Sequence, residues 1–198
     1  FDSVEDGATV AWSNPTGEYE LFRQPEALER FLDYKGTSIM AWNKLYRSAL
    51  FERIRFPVGR LNEDEFTTPY LVERVSSYAS LKDSLYAYVQ REGSIMHSPF
   101  SEKKLDGLEA LSQRLTHFSN LGSGRIDAIN AYHLLARCRA LESEYRGELG
   151  EYSHAVSAAV DKALQVEVSP RYGLALLLKT VLMRRFPSVA LRLKGGAR

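Results

Sequence analysis

Cysteine is almost missing from this chain. Cys138 stands alone among 198 residues, which excludes an internal disulfide framework and fits a reducing compartment. No run approaches the 18 or so apolar residues that a bilayer span needs, and no stretch reads as a signal peptide, although either feature can lie upstream of Phe1. Internal repeats and low-complexity tracts are absent too. What is present is ordinary for a soluble globular protein with a sizeable core: 44% hydrophobic and 26% charged residues, with a net charge of +1.

That small net charge hides an uneven distribution. The segment from Arg171 to Arg198 holds seven basic residues and no acid, which leaves 19 basic against 25 acidic residues before it. A basic, apolar C-terminal segment on an acidic body is a candidate for an anionic surface.

Along the chain, Phe1 to Tyr19 reads as loop with one short strand at Ala8 to Trp12. Gln24 to Leu32 has a proline at a helix start and apolar residues at 28, 31 and 32, so a short amphipathic helix is expected, stopped by Gly36. Thr37 to Trp42 is expected to be a central buried strand ending at Asn43 and Lys44. Ser48 to Arg53 follows as one or two helical turns, and Arg55-Phe56-Pro57 as a brief extended piece. Asn62 can cap a helix with Glu65 at its third position, and Pro69 leaves that helix's boundary open near Thr68. The helix continues over Tyr70 to Val75, and Leu81 to Gln90 alternates as a strand would. Beyond Ser101 the pattern turns helical, with Leu105, Leu108, Leu111 and Leu115 in one stripe. Three further helical segments follow: Ile126 to Tyr145, Glu148 to Leu164 and Arg171 to Arg185, with Pro187 as the last separator.

The chemistry concentrates between Met40 and Leu71. A strand that meets a polar step, followed by a loop that presents acids at a helix start, is how α/β enzymes place a base at the rim of a sheet. Here the acids are Glu63, Asp64 and Glu65. Their plainer reading is favourable charge at the positive end of a helix, worth about 0.3–1 kcal/mol each.

Three motifs occur in order: Trp42-Asn43-Lys44-Leu45-Tyr46-Arg47, then Ile54 to Gly59 with Glu63-Asp64-Glu65, then Tyr86 to Met96. Together, over roughly Ile39 to Met96, they resemble the second half of a bacterial family 2 glycosyltransferase of GT-A fold. The resemblance implies an α/β fold. Residues 1–98 would form the C-terminal, acceptor-side part of a Rossmann-like mixed sheet, and residues 99–198 a helical appendage. Such enzymes carry an Asp-x-Asp metal motif in the preceding half, and none occurs in this chain. The chain is therefore expected to be a C-terminal fragment, catalytically incomplete by itself.

The resemblance also assigns roles. Asp64 becomes the base that takes the acceptor hydroxyl's proton in an inverting transfer from a nucleotide-sugar donor, with Glu63 positioning it or contacting acceptor hydroxyls. Arg91 and Ser94 fall in the loop over the donor diphosphate, where a guanidinium and a hydroxyl match phosphate oxygens; the plainer reading of Arg91 is a solvated loop residue paired with Glu92. His97 is a lone candidate ligand for the implied Mg²⁺ or Mn²⁺. Trp42 is either core or the floor of the acceptor pocket. Asn43 and Lys44 either reach substrate or bridge structurally to the acid loop, and Arg55 and Arg60 are either partners of the acids or surface charges. Cys138 reads as a buried small residue, and His117, His133 and His154 as surface or helix-packing residues.

The implied setting is the cytoplasm or the inner face of a bacterial membrane, with a glycan or lipid-linked acceptor in capsule, exopolysaccharide or lipopolysaccharide assembly. Half a sheet exposes a strand edge, which offers a route to a homodimer. The run Tyr172 to Arg185 is either a helix docked on the core or an interfacial helix, with Arg184, Arg185, Arg192 and Lys194 at lipid headgroups. The alternative to an enzyme is a non-catalytic helical module whose basic segment meets an anionic partner. Aromatic and glycine patterns of RNA-binding modules are absent, so no nucleic acid is expected as partner.

Overall fold

The computed structural model describes residues 2–5, 14–35, 37–90, 99–145 and 147–195. They belong to two compact units, one drawn from Phe1–Arg55 and Thr67–Pro99, the other from Phe56–Phe66 and Phe100–Arg198. The architecture is mixed α/β.

In the first unit the described strands form two separate ribbons. Strand β1 (Asp2–Glu5) runs parallel to β4 (Ala87–Gln90), and β2 (Tyr19–Arg23) runs antiparallel to β3 (Ser77–Leu81), with Tyr19 opposite Leu81. Helix α1 (Glu26–Leu32) buries Ala27, Leu28, Phe31 and Leu32. Its start is held by Gln24, whose amide oxygen accepts the Leu28 N–H at 3.3 Å while its Nε2 donates to the Val72 carbonyl at 2.8 Å. That contact satisfies one of the amides a helix start leaves without a partner. The Tyr78 ring packs between Phe22 and Phe31, at 5.2 and 6.3 Å between centroids.

Two strand expectations are corrected. Thr37 to Trp42 forms no strand: these half-buried residues run as bend and turn, closed by the Lys44 N–H on the Ala41 carbonyl. A strand needs a neighbour for its backbone groups, and here the Met40 N–H goes to the Ser38 hydroxyl and the Lys44 N–H to the Ala41 carbonyl. Leu81 to Gln90 is not one strand but the end of β3 and the whole of β4. Between them Asp83 accepts from the Thr16 amide, the Thr16 hydroxyl and the Gly17 amide, each at 2.8 Å, and the chain turns there. The expected strand at Ala8 to Trp12 and the stop at Gly36 lie outside the described residues.

Helix α2 (Glu63–Glu73) begins in the second unit and continues, unbroken by Pro69, into the first. Asn62 before it takes a left-handed conformation, φ 57°, which asparagine tolerates better than most residues, and its carbonyl accepts the Glu65 N–H at 2.9 Å. The Glu65 carboxylate reaches Arg114 on α3.

The rest of the second unit is helical: α3 (Asp106–Ser119), α4 (Gly124–Glu144), α5 (Ser153–Leu164), α6 (Leu174–Arg185) and α7 (Pro187–Gly195). Pro187 does not separate the last helix from coil; it opens α7, where its missing N–H costs nothing. Helix α4 is central. With α3, α5 and α6 packed around it, it buries residues on nearly every side, including Ile129, Leu134, Leu135, Cys138 and Leu141. Burial and the nearby Glu142 push the Cys138 thiol up to about 12, so it is a packing residue. His133 is buried on α4, whereas His117 and His154 are exposed.

Polar fasteners join these helices. The Lys162 ammonium donates to the Ser112 carbonyl and hydroxyl and to the Thr116 hydroxyl, tying α5 to α3. Arg184 turns inward and donates to the Val166 and Ala163 carbonyls, where it caps the end of α5. Gly124 opens α4 under the Tyr172 ring, and a Cβ there would collide with its hydroxyl. A further fastener is an ion pair. Arg114 on α3 is completely buried and donates from Nη1 to Glu65 Oε2 at 2.8 Å, the carboxylate side chain being 14% exposed.

Two expected outcomes follow from these contacts. Removing one partner of a buried pair strands the other charge, at a cost of about 3–5 kcal/mol. Arg114→Met should therefore lower the unfolding free energy by that order in urea titration, and adding Glu65→Leu should recover most of it; a single variant as stable as the parent would show that the pair fastens nothing. The hydrogen bonds from Thr16 and Gly17 hold the Asp83 carboxyl below its ordinary 3.8. A lowered folded value means that its contribution is present above pH 3.8 and is lost as pH falls through the lowered value. Protection of the Thr16 and Gly17 amides, followed by NMR, should fall in that window and lose the dependence in Asp83→Asn.

Candidate active site

The acids at the start of α2 stand on a loop that the second unit grips. Gly59, at φ 78°, and Asn62 turn the chain around Arg60 and Leu61. Asp106, first residue of α3, holds this turn with both oxygens: Oδ1 accepts from Arg60 Nη1 at 2.6 Å and Oδ2 from the Leu61 amide at 2.8 Å. Its position also suits the positive end of α3. Glu109 takes the same Arg60 nitrogen at 2.9 Å. The hydrogen bond to Asp106, then the charge of Glu109, raise the Arg60 guanidinium above its ordinary value. Arg60 is thus a partner of acids, though of Asp106 and Glu109 rather than of the α2 turn. Gly107 lets the Asn62 side chain lie close against α3, since a Cβ there would come within 2.8 Å of Asn62 Oδ1.

On this grip the three acids take different roles. Glu65 is committed to Arg114, Glu63 is exposed, and Asp64 is half-buried. The capping and helix-end reading suits Glu65 only in part, because its carboxylate is a structural counter-ion.

Trp42, Asn43 and Lys44 belong to the other unit. The Trp42 indole is half-buried and stacks on Tyr88, at 5.2 Å and 13° between planes, with Tyr86 at 4.4 Å and 30°. These tyrosines come from β4 and the residue before it. The Lys44 ammonium donates to Asn43 Oδ1 at 2.6 Å and to the Met40 carbonyl at 2.7 Å, and lies 5.7 Å from the Phe31 ring centre. Lys44 and Asn43 therefore tie their own turn together. Arg55 donates to the adjacent Ile54 carbonyl and is a surface charge. Arg91, Ser94 and His97 lie outside the described residues.

Sequence reasoning missed Arg114, Asp106, Glu109, Tyr86 and Tyr88 as members of these two clusters. One signal was available: Arg114 interrupts the apolar stripe of Leu108, Leu111 and Leu115, and a cation on a buried face implies a buried acid. Among the described residues, no group of three or more histidine, cysteine or acidic side chains converges as a metal site. With Glu65 bound to Arg114, these residues do not assemble the donor set that an Mg²⁺ or Mn²⁺ ion needs.

No protein-family model matches the chain, and no solved structure matches it. A curated relative does: the chain is 41% identical over 87 residues to glycosyltransferase GlyA of Streptococcus pneumoniae serotype 4 (strain ATCC BAA-334 / TIGR4). The alignment takes in 42% of this chain and only 12% of that relative's length. Over that part of its length, the chain is related to a glycosyltransferase.

Proposed function

We propose that this chain belongs to an inverting glycosyltransferase of family 2 type and GT-A fold, which moves a sugar from a nucleotide-sugar donor to a glycan or lipid-linked acceptor in the cytoplasm. In this reading residues 1–98 form the acceptor-side part of the catalytic domain and residues 99–198 its helical region. The observation that carries it is the 87-residue likeness to a glycosyltransferase. The ordered motifs of the sequence and the anchored acid turn support the same reading.

The chemistry requires a carboxylate beside the acceptor hydroxyl. As that oxygen attacks the anomeric carbon, its proton passes to the base while the bond to the nucleoside diphosphate breaks. Asp64 is the proposed base. Its neighbour Glu65 is held by Arg114, and Glu63 is exposed and suited to acceptor hydroxyls. Trp42, with Tyr86 and Tyr88, supplies an aromatic surface of the kind that stacks on sugar rings. Asn43 and Lys44 close the turn that holds the indole, and Arg91 and Ser94 are assigned to the diphosphate by the motif they belong to. A divalent ion draws no ligand set from the described residues, so no step is assigned to it here.

In the protein's full natural chain, Asp64→Asn should reduce transfer about 10²- to 10⁴-fold, the ordinary worth of a general base. Donor binding, followed by calorimetry, should stay near that of the parent, as should the thermal midpoint. Transfer is read as nucleoside diphosphate released from a panel of UDP-, GDP- and dTDP-sugars. A variant that keeps parental turnover removes Asp64 from the mechanism.

A further inference from the structure

We propose that the outward face of α6 and α7 docks on an anionic lipid bilayer. Helix α6 buries Leu176, Thr180 and Met183 in its own unit, and its other side is apolar as well. Leu174, Leu178 and Val181 follow one another at helical spacing and are 64%, 54% and 42% exposed. Phe186, where α6 ends, and Val189 on α7 are also exposed, at 60% and 50%. Large apolar side chains exposed in this number on two successive helices point to an interaction site, because water does not favour leaving them bare.

The charge around the patch decides the occupant. Lys179, Arg185 and Arg192 are exposed on these helices, and no acid occurs after Glu167. A second copy of the chain would bring two surfaces of the same sign together. A nucleic acid would engage the cations but leave Leu174, Leu178, Val181, Val189 and Phe186 in water. An anionic bilayer surface takes both sets: apolar side chains enter the acyl boundary and cations remain among the headgroups. No described helix is long and apolar enough to cross a membrane, so the face lies on the bilayer rather than spanning it. Arg184 is not among the docking cations, since it is spent on the Val166 and Ala163 carbonyls.

The inference does not depend on the transfer reaction and is tested without it. The 198-residue chain is sedimented with vesicles of phosphatidylcholine alone and with vesicles of three parts phosphatidylcholine to one of phosphatidylglycerol. Expected is binding to the second and little to the first, weakening as sodium chloride is raised. Lys179→Gln, Arg185→Gln and Arg192→Gln should each weaken binding roughly fivefold. Leu178→Ser with Val181→Ser should weaken it at least roughly tenfold, from the loss of two apolar side chains. Circular dichroism confirms that the helices persist, and the parent's lipid and salt dependence stands whether or not a variant folds. Absence of binding to the anionic vesicles, or equal binding to both kinds, overturns the proposal. So does binding that survives the leucine and valine changes but not the cation changes, which would indicate a general polyanion site. A dimer in light scattering that the Leu178 and Val181 changes dissolve, without vesicle binding, would identify a second copy as the occupant.

Discussion

Arg114 is the constraint around which the acid turn is organised. A guanidinium stays protonated throughout the accessible pH range, so a fully buried one must have a carboxylate or the local fold fails. Glu65 is that carboxylate, and its commitment fixes the rotation of the first turn of α2. Successive helical residues point about 100° apart. With Glu65 turned to Arg114, Asp64 and Glu63 must face other directions, and their burial differs accordingly: half-buried for one, exposed for the other. Three consecutive acids that look equivalent in the sequence are thereby given three environments.

Asp106 complements this from the other side of the turn. It places one oxygen on the Arg60 side chain and the other on the Leu61 backbone, so a single carboxylate positions both a charge and a peptide plane. The close approach at Gly107 completes the fit. The apolar core of α3, α4 and α5 would tolerate small slides of one helix along another, whereas hydrogen bonds with fixed directions do not. The polar contacts therefore set the register that the hydrophobic contacts leave loose. Lys162 and Arg184 act in the same way at the C-terminal end of α5.

The helical part was legible in the sequence because its signal is local and repeated. Leu108, Leu111 and Leu115 recur at helical spacing, and the breaks at Leu121 to Gly124 and at Ser169-Pro170 carry their own turn chemistry. Strands were not legible to the same degree, since a strand is defined by a partner that can lie far along the chain. The apolar run ending at Trp42 has β-forming residues but no strand paired with it among the described residues, and it turns. Tyr19 to Arg23 buries only Phe22, so it gave no alternation to notice, yet it pairs with β3 over five residues. The acid turn was visible as three consecutive acids after Asn62. Its anchors were not, because Arg114 and Asp106 are remote in sequence and only the fold shows which acid each cation meets. The basic C-terminal run was visible as a count of charges, but the count treats Arg184 and Arg185 alike. One is a helix cap and the other is exposed.

For the proposed base, the locked neighbour matters more than the pKa. Proton abstraction requires a carboxylate within hydrogen-bond reach of the acceptor hydroxyl, and a misplacement of about 1 Å can cost on the order of 10²-fold. The first turn of a helix frays easily, having few intrahelical hydrogen bonds to hold it. At α2 the fraying is opposed by the Glu65 amide on the Asn62 carbonyl and by the Glu65 side chain on Arg114. Asp64, one position earlier, inherits that backbone geometry. In the proposed mechanism the two demands fall on different acids: the carboxylate paired with the buried Arg114 holds the turn, and Asp64 takes the proton.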